Sequence, residues 1–307
     1  MSEITIDTIV IETIRRCNLR CEVCPTVYAI DYPKGVMPIK DFKRILKNLN
    51  NTPITRIGLT GWGEPLLDPY LKERIELLKS LNFTTGLTTN AVFLNKEIFN
   101  FLCENIDYLA ISLDTYHLKS SHNYHLIKKI LNLLKKGSSP NFLSINIVIS
   151  KTSINLAEEI IEKFYKLVNC ISIIPITIIP SKHLLTHLTS KEELVALKEK
   201  FKEKTSNISF SYLDPPPQNN CRSDILKNAY ITVEGEVCPC CVLAMTFPIY
   251  SFNGKRGTTK VLSFGNLKHS PFPQIFFSSK YVRFRNQFKK GKIPKTCLHC
   301  NAWKTLP

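Results

Sequence analysis

The sequence has no run of eighteen apolar residues, and its most hydrophobic stretch, Ile171–Pro180, is short and interrupted by Pro175, so a membrane-spanning helix is not expected. A secretory signal is missing too. The opening MSEITIDTIVIET has no basic start and no small-residue cleavage site, which places the expected location in the cytoplasm. Internal repeats and low-complexity tracts are absent, and a hydrophobic fraction of 44% suffices for an ordinary globular core. Acidic residues are scarce beside basic ones, 25 against 41, for a net charge of +16. That imbalance raises a nucleic-acid partner. Yet the tight basic clusters are only pairs such as Lys128-Lys129, Lys135-Lys136 and Lys289-Lys290. A solvated basic surface is therefore expected and nucleic acid is not; an anionic substrate or acidic partner fits the charge equally well.

What the chain does have is cysteine. Eleven stand at 17, 21, 24, 103, 170, 221, 238, 240, 241, 297 and 300, and all but Cys103 and Cys170 belong to or flank three tight groups. In a chain without a secretory signal, close-set cysteines read as metal ligands rather than disulfides. The two isolated ones read as small buried hydrophobes.

Up to about residue 180, β-branched runs alternate with segments of helical period. Strands are expected at 8–13, 54–60, 84–89, 108–113, 144–149 and 171–178, with helices between them. Leu126, Ile130, Leu133 and Leu134 share one helical face. Asp68-Pro69 reads as a helix start, Asn155 with Glu158 as a capping pair, and Ser190 with Glu193 as a capping box. Such alternation predicts a parallel sheet, either doubly wound or a partial barrel of TIM type, with chemistry at the C-terminal strand ends. After the triple proline at 215–217 the pattern changes to short alternating strands around a Glu-Gly turn. The expected division is 1–205 and 206–307, the second part being poor in apolar residues and in need of a metal staple.

The triplet Cys17-Asn-Leu-Arg-Cys21-Glu-Val-Cys24 lies on a loop directly after the first expected strand. Three thiolates on one loop repel each other unless a cation offsets them. A structural zinc site wants a fourth ligand, and none lies nearby. The run RRCNLRCEVCP resembles the signature loop of the radical S-adenosylmethionine (SAM) superfamily. The resemblance implies a partial (β/α)6 TIM-like barrel in which Cys17, Cys21 and Cys24 hold a 4Fe–4S cluster with one open iron. That iron chelates SAM, whose reductive cleavage yields a 5′-deoxyadenosyl radical. Val23 departs from the family pattern, which often has an aromatic residue there.

Three further segments carry the resemblance. Gly61-Trp62-Gly63-Glu64-Pro65 is similar to the family's GGEP segment, Thr88-Thr89-Asn90 to its TTN strand end, and Ser112-Leu113-Asp114 to its SLD segment. They fall in order on the second, third and fourth expected strands. The cofactor-binding residues implied are Gly61, Gly63, Glu64, Thr89, Asn90, Ser112 and Asp114. Asp114 and Tyr116 are the candidates for substrate handling.

The tail resembles the SPASM and shorter "twitch" extensions of that superfamily, on Gly235-Glu-Val-Cys238-Pro-Cys240-Cys241, Gly265-Asn266-Leu267 and Cys297-Leu-His-Cys300. These are small α+β cysteine-rich domains holding auxiliary 4Fe–4S clusters. Six cysteines are too few for two fully ligated clusters, so one is expected, on Cys221, Cys240, Cys297 and Cys300, with Cys238 and Cys241 as alternates. Two C-x2-C pairs also have zinc-ribbon spacing. The resemblance implies an enzyme that oxidises or rearranges a small molecule, the auxiliary cluster accepting an electron or binding substrate, with flavodoxin or ferredoxin as reductant. A maturase of ribosomally made peptides is the alternative, and a zinc-containing nucleic-acid-binding protein a distant one.

Overall fold

The computed structural model describes residues 6–49, 52–113, 121–136, 140–218 and 220–307. Strands β1 (Ile6–Ile11), β2 (Ile54–Leu59), β3 (Thr84–Thr89), β4 (Tyr108–Ser112), β5 (Phe142–Ile149) and β6 (Cys170–Pro175) alternate with helices α1 (Ile39–Leu49), α2 (Leu71–Ser80), α3 (Lys96–Asn105), α4 (Ser121–Lys136) and α5 (Ile154–Phe164). The six strands pair in parallel and in chain order, each next to its predecessor. Right-handed crossovers that never reverse direction put every helix on one face, so the sheet coils as a partial barrel. A doubly wound sheet would reverse strand order midway, and this one does not. The face turned to the helices is dominated by β-branched residues: Ile9, Ile57, Ile111, Ile145, Ile147 and Ile171 are completely buried in one core with Phe42, Phe99, Ile160 and Phe164 of the helices.

Helix α6 (Lys191–Lys200) opens on the expected box, Ser190 Oγ accepting from Glu193 N at 3.2 Å and Glu193 returning the bond to Ser190 N at 2.8 Å. Two other helix starts differ from expectation. Asn155 is exposed inside α5, and the cap upstream is a box between Ser150 and Ser153, whose hydroxyls reach the turn's free N–H groups first. Asp68 precedes α2 by three residues; its carboxylate accepts from Tyr70 N and, at 2.8 Å, from the fully buried guanidinium of Arg74.

The sheet continues beyond the six units. Strand β7 (Ile208–Phe210) adds in parallel to β6, while β8 (Asn228–Ile231) adds in parallel to the opposite edge, on β1. A tight turn then returns the chain as β9 (Val237–Cys238), antiparallel to β8, with Gly235 at φ +86° where a side chain would be strained. The rest is a small hairpin, β10 (Pro248–Tyr250) with β11 (Arg256–Thr258), and the aromatic helices α7 (Phe272–Phe276) and α8 (Ser279–Lys289). A cysteine-rich region with antiparallel strands thus follows a mostly parallel sheet. Among the described residues, no helix is long and apolar enough to cross a membrane.

Candidate functional site

The C-terminal ends of all six barrel strands open into one cavity of about 630 Å³. Its wall holds Cys17, Cys21 and Cys24 after β1, Gly61–Glu64 after β2, Thr88–Asn90 at the end of β3, and Ser112 at the end of β4. Val148 of β5 and Ile174–Ile178 in and after β6 close the far side. The order read along the sequence is therefore also an order in space. Asp114 and Tyr116 lie outside the described residues.

The segment after β2 is held by close backbone approach. Gly63 lies so near the end of β1 that a Cβ would stand 2.1 Å from the Ile14 carbonyl oxygen, and Glu64 N donates to Arg16 O at 2.8 Å. At Gly61 a Cβ would meet the Glu12 side chain at 2.8 Å and the Tyr230 hydroxyl at 2.9 Å. Only glycine fits either place. Glu64 is buried with both oxygens engaged. Oε1 accepts from Leu66 N at 3.1 Å and Thr89 Oγ1 at 2.5 Å, and Oε2 accepts from Asn90 N at 2.8 Å. Burial pushes its carboxyl upward, against these hydrogen bonds. Its role in the wall is to lock the ends of β2 and β3 together. Asn90 continues the chain of contacts, its amide donating to Asn18 Oδ1 at 2.9 Å and approaching Cys17 Sγ at 3.7 Å.

The cysteine loop is open on one side. Cys17 is exposed, Cys21 and Cys24 half-buried. Val23 packs with the apolar cluster of Ile176, Ile179 and Leu184, so the loop is anchored by aliphatic contact where the family pattern has an aromatic ring.

A second, narrow cavity, with about 20 Å³ of free space, lies in the C-terminal part. The cysteines lining it are Cys221, Cys240, Cys297 and Cys300; Cys238 and Cys241 do not. Phe284, Phe288 and Trp303 enclose it, and the Trp303 indole donates to Cys297 O at 2.8 Å. Burial pushes the Cys297 thiol up to about 12 and Cys300 to about 11, with neighbouring cysteines adding to each rise. Cys238 is fully buried beside Tyr230 and Ala244 as a core residue. Cys241 is nearer the set, interacting with Cys240 and Cys300, but it lines, together with Cys240, a neighbouring pocket beside Trp62 and Tyr230 rather than the four-cysteine cavity.

Both sets fit iron–sulfur clusters by donor chemistry: thiols alone, crowded so that thiolates need a cationic partner. Among the described residues no three Cys, His, Asp or Glu side chains converge as ligands of one metal ion. A cubane asks for something different, one thiolate for each of several irons, whereas a zinc ribbon asks for four on one atom.

A buried network joining the two sites was not anticipated. Glu12, fully buried after β1, accepts from Arg15 Nε at 2.9 Å, from the Tyr230 hydroxyl at 2.8 Å, and from the Tyr32 hydroxyl. Arg15 continues to Glu234 at 2.5 Å. Beside it the Trp62 indole donates to Cys241 O at 3.0 Å, tying the segment after β2 to the C-terminal cysteine run. The sequence held one signal of this. Glu12 is a carboxylate inside an apolar strand run, and buried charges in such places are paired.

Residues 11–164 match the model of the Radical SAM superfamily, and residues 221–301 that of SPASM, an iron–sulfur cluster-binding domain. The chain is 25% identical over 311 residues to the tungsten-containing aldehyde ferredoxin oxidoreductase cofactor-modifying protein of Pyrococcus furiosus, covering 95% of this chain and 86% of that one. Among solved structures, SuiB of Streptococcus suis bound to S-adenosylmethionine superposes with a TM-score of 0.69 at 19% identity, over 98% of this chain and 72% of that one. BtrN in complex with AdoMet and 2-DOIA gives 0.54 at 18% identity, over 93% and 88%. At these identities the two structures speak to the fold alone.

Proposed function

Because this chain belongs to the radical SAM superfamily and carries an iron–sulfur cluster-binding SPASM domain, we propose that it abstracts hydrogen from a small molecule, which is thereby oxidised or rearranged. S-adenosylmethionine, a SAM-binding 4Fe–4S cluster and an auxiliary cluster are its cofactors. Bound at Cys17, Cys21 and Cys24, the cluster with SAM would supply a 5′-deoxyadenosyl radical, and a cluster on Cys221, Cys240, Cys297 and Cys300 would accept an electron or bind substrate.

The observation that carries this reading is the convergence of the three-cysteine loop and three polar strand ends on one cavity. In it Cys17, Cys21 and Cys24 hold the SAM-binding cluster. Gly61 and Gly63 give SAM a bare backbone, Thr89, Asn90 and Ser112 offer polar groups, and Glu64 aligns the strand ends that present them. Asp114 and Tyr116 remain our candidates for substrate handling. Cys221, Cys240, Cys297 and Cys300 hold the auxiliary cluster. The division of labour runs near residue 206, with 1–205 as the radical core and 206–307 as the cluster domain. An electron carrier such as flavodoxin or ferredoxin reduces the enzyme.

The relative from Pyrococcus furiosus is by name a cofactor-modifying protein, which supports a small molecule. A peptide substrate is the second reading. It is favoured by the likeness to SuiB, also solved with its precursor peptide SuiA, and by the aliphatic far wall of Val148, Ile174, Ile176 and Ile178. The test is anaerobic purification with iron, sulfide and zinc counted per chain, followed by an assay of 5′-deoxyadenosine formed from SAM under dithionite. About eight irons and dithionite-dependent 5′-deoxyadenosine are expected. Zinc without iron after reconstitution would refute the proposal.

A further inference from the structure

The positive charge of this chain is concentrated at one end. No Asp or Glu follows Glu236, while twelve Lys and Arg do, so the last 71 residues carry +12 of the chain's +16. Among the described residues, only Lys268 of these twelve stands within ion-pair distance of a carboxylate, that of Asp41. Among the described residues, the others have no carboxylate within that distance.

Their placement is specific. A surface groove of about 510 Å³ beside α8 is lined by Lys280, Arg283 and Lys295, with no acidic residue. Phe284 and Thr296 line both this groove and the four-cysteine cavity, so the groove lies against the back of that cavity. Lys289, Lys290 and Lys292, all exposed, follow at the end of α8. Exposed aliphatic residues adjoin the groove residues in sequence. Leu298, between Cys297 and Cys300, is 48% exposed, and Val261 beside the groove residue Leu262 is 46% exposed. Exposed aliphatic side chains beside charges of one sign suit a protein-docking surface, the charges steering and the apolar groups desolvating on contact.

We propose that this face docks an acidic one-electron carrier protein at the auxiliary cluster. The proposal rests on the reading that the four cysteines hold such a cluster. In the docked complex the reduced cluster loses one electron and the carrier's oxidised flavin or iron–sulfur centre gains it, with no atom transferred. The surface favours a protein over nucleic acid: the groove's own rings are engaged, Phe264 stacked on Tyr281 at 4.0 Å and Phe284 buried, so neither offers bases a free face.

The test uses the anaerobic holoprotein with oxidised flavodoxin as the probe, binding read by titration calorimetry at low and high salt. The double variant Arg283→Glu/Lys295→Glu should weaken binding about tenfold at low salt and flatten its salt dependence. Lys198→Glu, on exposed α6, should change neither. Leu298→Ser should slow stopped-flow electron transfer from the reduced holoprotein to flavodoxin. Iron content and dithionite-driven 5′-deoxyadenosine formation should be unchanged in the double variant. Equal weakening by Lys198→Glu, undiminished binding by the double variant, or displacement of flavodoxin by duplex RNA would each overturn the proposal. A holoprotein that binds flavodoxin in this pattern but never cleaves SAM would refute the proposed reaction and not the docking site.

Discussion

The two cysteine sites use the same ligand atom in opposite surroundings. The N-terminal loop presents an exposed Cys17 to a roomy cavity edged by Thr, Asn and Ser at strand ends. The C-terminal four face a narrow space enclosed by Phe284, Phe288 and Trp303. Room and polar groups suit a cluster that takes a ligand, whereas tight aromatic enclosure suits one that exchanges electrons or holds the fold. The cavity each set faces, more than the spacing of its cysteines in sequence, distinguishes the two sites.

Removing one thiol from each site sharpens that contrast. Cys17→Ala should abolish 5′-deoxyadenosine formation, by about 10³-fold or more, while the auxiliary cluster's irons remain countable. Cys300→Ala should do the reverse, with SAM cleavage retained, product lost, about four irons missing and a lower melting temperature. Retention of all iron in Cys300→Ala would break the comparison. Gly63→Ala comes next. A Cβ placed 2.1 Å from the Ile14 carbonyl forces the loop to move, costing about 2 kcal/mol in denaturant unfolding and weakening SAM binding. Trp62→Phe, which removes the donor to Cys241 O, should cost about 1 kcal/mol with both clusters intact. Cys238→Ala is the smallest. It should leave the iron count unchanged, because that sulfur packs in the core away from the four-cysteine cavity.

How much of this was legible follows from the range over which each feature is encoded. The cysteine triplet, the two glycines around Trp62 and the Thr-Thr-Asn strand end are local strings whose spacing states their chemistry, and strand order then brings them together. The Ser190 box was equally local. Asn155 misled because two serines upstream compete for the same free backbone groups, and a pattern of one residue and its partner cannot rank them. The Glu12–Tyr230 bond and the Trp62–Cys241 bond were illegible for another reason. They join positions 218 and 179 residues apart, and nothing in either segment names its partner. The same holds for the pairing of β8 on β1, since periodicity marks a strand but not its neighbour.

That pairing bears on how the chain is made. Thr8 meets its neighbour Asn228 across 220 residues, so during synthesis the first strand leaves the ribosome long before the strand that covers its outer edge. Until then β1 is an uncovered sheet edge of Ile and Val, the kind of surface on which nascent chains aggregate. A chain cut at residue 205 would keep that edge bare permanently, and its product should collect in inclusion bodies even though every strand of the barrel is present.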